Sequence, residues 1–172
     1  FAEIDKAMTY FCDLIDGLPG IKTHRPDKNS GCTKGGWYFP LAHYMPEEFG
    51  ELSNLRFAEA VRAEGVGCFA GCNKPLHTHV LFKDIDVYGH GRATRLAHLP
   101  KGMTIEQLQK PLKVAESIND RIITLPWFKH FDKDSIDACA AAYKKVAENY
   151  KILIDGDEHK HVEGSYNSSF KK

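Results

Sequence analysis

Two amphipathic stripes, one near each end of the chain, constrain the fold most. Phe1, Ile4, Met8, Phe11, Ile15 and Leu18 recur at spacings of 3, 4, 3, 4 and 3, the rhythm that lays one apolar line along a helix. Ile136, Cys139, Tyr143, Val146 and Tyr150 repeat it. Leu18-Pro19-Gly20 stops the first helix, because Pro19 disfavours helix before it and Gly20 supplies a turn. The stripe is already strong at Phe1, which is not Met. That predicts a helix over 1–18 truncated from a longer one. A helix with such a face packs on something, which leaves open a small interaction domain whose apolar faces dock elsewhere, the face being able to drive a dimer in a lone fragment.

Between the stripes the pattern is short and punctuated. Residues 24–36 are turn-formers. Trp37 to Tyr44 reads as an aromatic-rich strand, made an edge, bulged or broken by Pro40. Ser53 is suited to cap a helix through Glu64, with Phe57 and Val61 inward and Gly65 ending it. Val66 to Ala70 reads as a short strand, and a third lies near Ile21–Thr23. Residues 71–101 are irregular, a length that marks a functional or mobile segment. Thr104-x-x-Gln107 suits a capping box, and Pro111 suits a helix start. Val114, Ala115, Ile118 and Ile122 are the expected buried face of that helix. Thr124 to Phe128 is extended, and Asp132 or Asp134 caps the last helix. The expected fold is α+β, a small, mostly antiparallel sheet covered by three or four helices. It forms a single domain over 1–154, with a polar, flexible tail over 155–172.

Charge decides against one partner class. Lys and Arg number 23, as do Asp and Glu, and a balanced chain lacks the basic excess that phosphate backbones require. No apolar run approaches the length of a bilayer span, so no membrane is expected. The cysteines are Cys12, Cys32, Cys68, Cys72 and Cys139. An odd number without a secretory signal implies free thiols and a cytoplasmic location. Cys12 and Cys139 fall on apolar helix faces.

The densest reactive cluster is Cys68, Cys72, His77 and His79, spaced C-x3-C-x4-H-x-H. One reading is a non-catalytic zinc-binding or regulatory module. The other is buried thiols beside loop histidines, because a finger needs a longer separation between its ligand pairs. His77 follows Pro75-Leu76 in a rigid loop, placing it as a proton shuttle, a substrate contact or a surface histidine. His43, His90, His98 and the tail pair His159 and His161 show no partner logic, and the tail pair is expected to be solvated. Phosphate-binding glycine loops and a nucleophile elbow are absent.

The order of segments is informative as a whole. Gly17-Leu18-Pro19-Gly20-Ile21 ends the first helix, and Trp37-Tyr38-Phe39-Pro40-Leu41 is an aromatic strand. Arg62-Ala63-Glu64-Gly65-Val66-Gly67 ends the second helix, and Lys74-Pro75-Leu76-His77 is a "P-L-H" loop. Ile123-Thr124-Leu125-Pro126-Trp127-Phe128 precedes a helix carrying Lys145-Val146. Over residues 1–153 this order resembles the C-terminal part of the DegT/DnrJ/EryC1/StrS family, the pyridoxal phosphate (PLP)-dependent sugar and cyclitol aminotransferases. Gly71 and Cys72 stand where many members carry His-Tyr, as in the branch similar to glutamine:scyllo-inositol aminotransferases. The resemblance implies the small C-terminal domain of a fold-type I aminotransferase. Its implied partners are an N-terminal PLP-binding domain of the same protein and a second subunit in the parent homodimer.

The resemblance further implies that PLP belongs to the full-length parent, with none on this stretch. The Schiff-base lysine of the "S-x-x-x-K" motif is missing. The acidic "E-D-x-A" motif is mimicked only by Ile136-Asp137-Ala138-Cys139-Ala140, where the stripe makes Asp137 an ordinary exposed residue. PLP is an electron sink held by a lysine and a carboxylate, so this stretch alone is expected to be inactive. His77, with Lys74 and Asn73, is implied to face the substrate and to bond a sugar hydroxyl or a nucleotide-diphosphate oxygen.

Overall fold

The computed structural model describes residues 1–27, 29–32, 34, 36–79, 85–91, 100–103, 107 and 111–164. Helix α1 covers Ala2–Ile15 and buries Ala7, Met8, Phe11, Cys12 and Ile15. It ends one turn before Leu18-Pro19-Gly20. Gly17 takes a left-handed φ of 84°, which an L-residue resists. The Asp16 carboxylate turns aside to Thr23 and Arg25. From Ala7 to Ile15 the apolar stripe is covered within the chain. It packs on the terminal helix α4, Lys133–Glu148, through Phe11 against Tyr143 at 5.6 Å. Tyr10 on α1 donates its hydroxyl to Asp137 on α4 at 2.8 Å. Asp137 is therefore half-buried and partnered, not an ordinary exposed residue.

Three strands form an antiparallel sheet in the order β1 (Ile21–Thr23), β2 (Leu41–Tyr44), β3 (Ile122–Thr124). Ile21 opposes Tyr44, and Leu41 opposes Thr124. The expected strand over Trp37 to Tyr44 is halved. It starts only after Pro40, whose carbonyl accepts the Leu125 N–H at 2.9 Å. Trp37 is buried instead by donating its indole N–H to Asp5. Val66–Ala70 is not a strand either. Thr124 Oγ1 captures the Phe69 N–H at 2.9 Å, and only the Ala70–Ile123 bridge forms.

Helix α2 spans Asn54–Ala63, with Ser53 Oγ accepting the Arg56 N–H at 3.1 Å and Gly65 turning the chain at φ 87°. Phe57 and Val61 are fully buried, as the sequence predicts. Phe57 packs ring to ring with Tyr44 and Phe49, the three centroids 5.2–5.4 Å apart. Helix α3 is short, Lys113–Ser117, and passes through a 3₁₀ turn at Ile118–Arg121 into β3. The expected buried face fails here: Val114 is 81% exposed and Ile122 lies in the sheet. Buried Asn54 donates to the Asn119 and Ile122 carbonyls at 2.7 and 2.8 Å. Those groups are thereby lost to a longer helix. The capping box at Thr104 and Gln107 depends on Thr104, outside the described residues.

A short helix α5, Lys151–Ile154, follows α4. Residues 155–164, expected as a flexible tail, are instead docked. Asp157 Oδ2 accepts the Ser53 N–H at 2.6 Å and Oδ1 accepts the Ser53 hydroxyl at 2.7 Å. Asp120 takes the Val162 N–H at 2.8 Å and faces His161 Nδ1 at 2.6 Å. His159 Nδ1 lies 3.5 Å from Asp157, so both tail histidines have acidic partners. Among the described residues no helix is long and apolar enough to cross a membrane.

Candidate functional site

The loop at 71–79 is built from the sheet outward. Gly71 donates its N–H to the Ile122 carbonyl at 3.0 Å. It holds φ 69° where a Cβ would press on Val162 and Asn119. Asn119, 1% exposed, then clamps the loop. Its Oδ1 accepts the Cys72 N–H at 2.9 Å and its Nδ2 donates to the Asn73 carbonyl at 3.1 Å. Leu76–Thr78 is one 3₁₀ turn, tightened by the Thr78 hydroxyl on the Pro75 carbonyl at 2.7 Å.

His77 is held by its ring as well as its backbone. Nε2 lies 2.9 Å from Glu116 Oε1, which also accepts the Leu112 N–H at 3.1 Å. The His77 bond, reinforced by the Leu112 N–H, holds the Glu116 carboxyl below the usual carboxylate range. Lys74 pairs with Glu163 of the docked tail at 2.9 Å, and that bond lowers the Glu163 carboxyl in the same way. Asn73 is exposed and tied down through its backbone. The three expected contact residues thus share one loop, and both basic ones are matched to a carboxylate.

The cysteine–histidine cluster does not assemble. Cys68 is fully buried beside Tyr143. Burial pushes its thiol up to about 11, against the opposing pull of the Tyr143 hydroxyl bond. Cys72 is half-buried on the loop. Among the described residues no three His, Cys, Asp or Glu side chains converge as a metal site. A thiol kept protonated in a core is a poor zinc ligand. A cleft of about 150 Å³ opens elsewhere, with Arg56, Lys160, Glu59 and Glu158 in its walls. It includes none of His77, Lys74 or Asn73.

Sequence reasoning missed Asn54, Asn119, Glu116 and Glu163. Asn54 directly follows the predicted cap Ser53, and Glu116 lies 39 residues from its partner. Only folding reveals either contact. What the loop offers chemically is hydrogen bonding: an imidazole, an ammonium and an amide, with no activated nucleophile among them. Neither the protein-family models nor the curated proteins compared with this chain match it.

Proposed function

We propose that the chain is the small C-terminal domain of a PLP-dependent aminotransferase acting on a keto-sugar, often nucleotide-linked, or a keto-cyclitol. Its part is to shape the substrate side of the cleft. One observation supports this reading above others: four of the five segments of the resemblance reach one core, through Leu18, Trp37, Val66 and Leu125, and the fifth, ending at His77, lies at its surface. Leu18-Pro19-Gly20 feeds directly into β1, and the Trp37–Leu41 segment delivers β2. Gly65 ends α2, Pro75-Leu76-His77 enters the 3₁₀ turn, and Leu125-Pro126 leaves β3 toward α4.

Among the described residues, the carboxylate that mimics the PLP-binding motif already has partners. The only look-alike carboxylate, Asp137, is occupied by Lys133 at 2.5 Å and by Tyr10. In this reading, which rests on the resemblance, PLP belongs to an N-terminal domain of the same protein, working as a homodimer. The contribution of this chain is to bind and orient substrate through His77, Lys74 and Asn73.

The test reads the gene and the native protein together. The reading frame is expected to continue upstream of Phe1 through an "S-x-x-x-K" lysine. The protein from its source is expected to exceed 19.4 kDa and to carry the absorbance band of enzyme-bound PLP. A frame with no such domain, or a native protein of this mass with no band, would sink the proposal.

A further inference from the structure

We infer that Glu116 is a positioning residue that fixes His77 Nε2 as a donor, leaving Nδ1 as an acceptor for a ligand hydroxyl. This rests on the proposed function for the identity of the site and narrows what the site takes there.

An ionised carboxylate only accepts hydrogen bonds, so the proton between it and His77 belongs to Nε2. A neutral imidazole protonated at Nε2 carries its lone pair on Nδ1. Among the described residues, Nδ1 has no hydrogen-bond partner, and the His77 side chain is 25% exposed. The dyad is braced at both ends. Glu116 Oε1 also holds the Leu112 N–H, and the His77 backbone lies in the turn tied to Pro75.

Electrostatics then discriminate between ligand groups. A phosphate or carboxylate oxygen at Nδ1 would meet a lone pair, with the Glu116 charge across the ring. A hydroxyl would donate into that lone pair. Two neighbours of the dyad in the chain, Leu76 and Leu112, are 67% and 51% exposed. They offer apolar surface suited to the C–H face of a polyhydroxylated ring. The geometry therefore favours a sugar or cyclitol hydroxyl at His77 over a diphosphate oxygen.

The experiment uses the full chain labelled with ¹⁵N and long-range ¹H–¹⁵N correlation of the His77 ring, with myo-inositol as the probe. The wild-type ring is expected as the Nε2–H tautomer. Glu116→Ala should give mixed tautomers and weaken myo-inositol binding about tenfold. Glu116→Gln keeps a carbonyl acceptor and should restore both. Inorganic phosphate should leave Nδ1 unshifted. An Nδ1–H ring in the wild type, or a ring unchanged in Glu116→Ala, overturns the positioning role. If Glu116→Ala does not fold, the wild-type tautomer and Glu116→Gln still decide. A correctly held ring that shifts with phosphate and not with myo-inositol overturns the ligand class. Neither failure bears on the upstream PLP domain, which the gene and the native mass test separately.

Discussion

Removing the Asp157 carboxylate should destabilise a helix that lies 104 residues earlier in the chain. The Asp157 side chain is 3% exposed. It accepts the Ser53 N–H at 2.6 Å, the Ser53 hydroxyl at 2.7 Å and the His159 N–H at 3.1 Å. It also puts a negative charge at the N-terminus of α2, where the helix dipole favours one. A bond to a charged group contributes about 1.5–3 kcal/mol, and such bonds within one network are not additive. Asp157→Ala should therefore cost about 2–4 kcal/mol, and Asp157→Asn, which keeps one acceptor oxygen, about half of that. Urea unfolding followed by circular dichroism measures it as a fall in midpoint at unchanged slope.

The pH dependence is a second readout of the same group. Burial pushes the Asp157 carboxyl up, but the Ser53 and His159 bonds outweigh burial and leave it lowered. A lowered carboxyl binds its proton more weakly in the folded protein than in the unfolded chain. Its stabilisation is thus fully present above the unfolded value of about 3.9 and is lost as pH falls through the lower folded value. The gap between wild type and Asp157→Asn should be flat from neutral pH down to about pH 5 and close below that. An Asp157→Ala protein within about 0.5 kcal/mol of wild type would refute the reasoning, because surface changes of no consequence fall in that range.

Three further outcomes follow from the packing. Asn54→Ala leaves the Asn119 and Ile122 carbonyls without their buried donor and should cost about 2–4 kcal/mol by urea unfolding. Gly20→Ala forces a left-handed residue to carry a Cβ into the Phe49 ring, and a melting curve should show a loss of about 2 kcal/mol or more. Ellman's reagent should label exposed Cys32 first. Cys12, its thiol pushed up to about 12 by burial, and Cys68 should react only after unfolding.

The parts legible in advance were those whose signal is local. The stripe of α1 and that of α4 place Phe11 and Tyr143 on inner faces because helical period alone decides it. Ser53 and Gly65 bound α2 because capping and left-handed turns depend on single side chains. Illegible parts depended on distant partners. Val66–Ala70 has strand composition, yet its ladder fails because Thr124 Oγ1 takes the Phe69 N–H. Residues 155–164 have a disordered composition, yet carboxylates of Asp157 and Asp120 pin them. At the site, His77 stands out in sequence by its Pro-Leu-His setting, whereas Glu116 is an unremarkable acid in a polar stretch.

Residue order was thus enough for α1, α2 and α4, the turn glycines, the α+β class and the loop that carries Asn73, Lys74 and His77. Each of these is written in spacing or in the conformational limits of one residue. Packing in three dimensions was needed to bring α4 over α1, to make Cys68 a core thiol, and to set Glu116 and Glu163 against the two basic side chains. Those outcomes turn on which side chain meets which partner across 39 to 127 residues of chain. That is settled by packing in three dimensions and leaves no periodic trace in the order of residues.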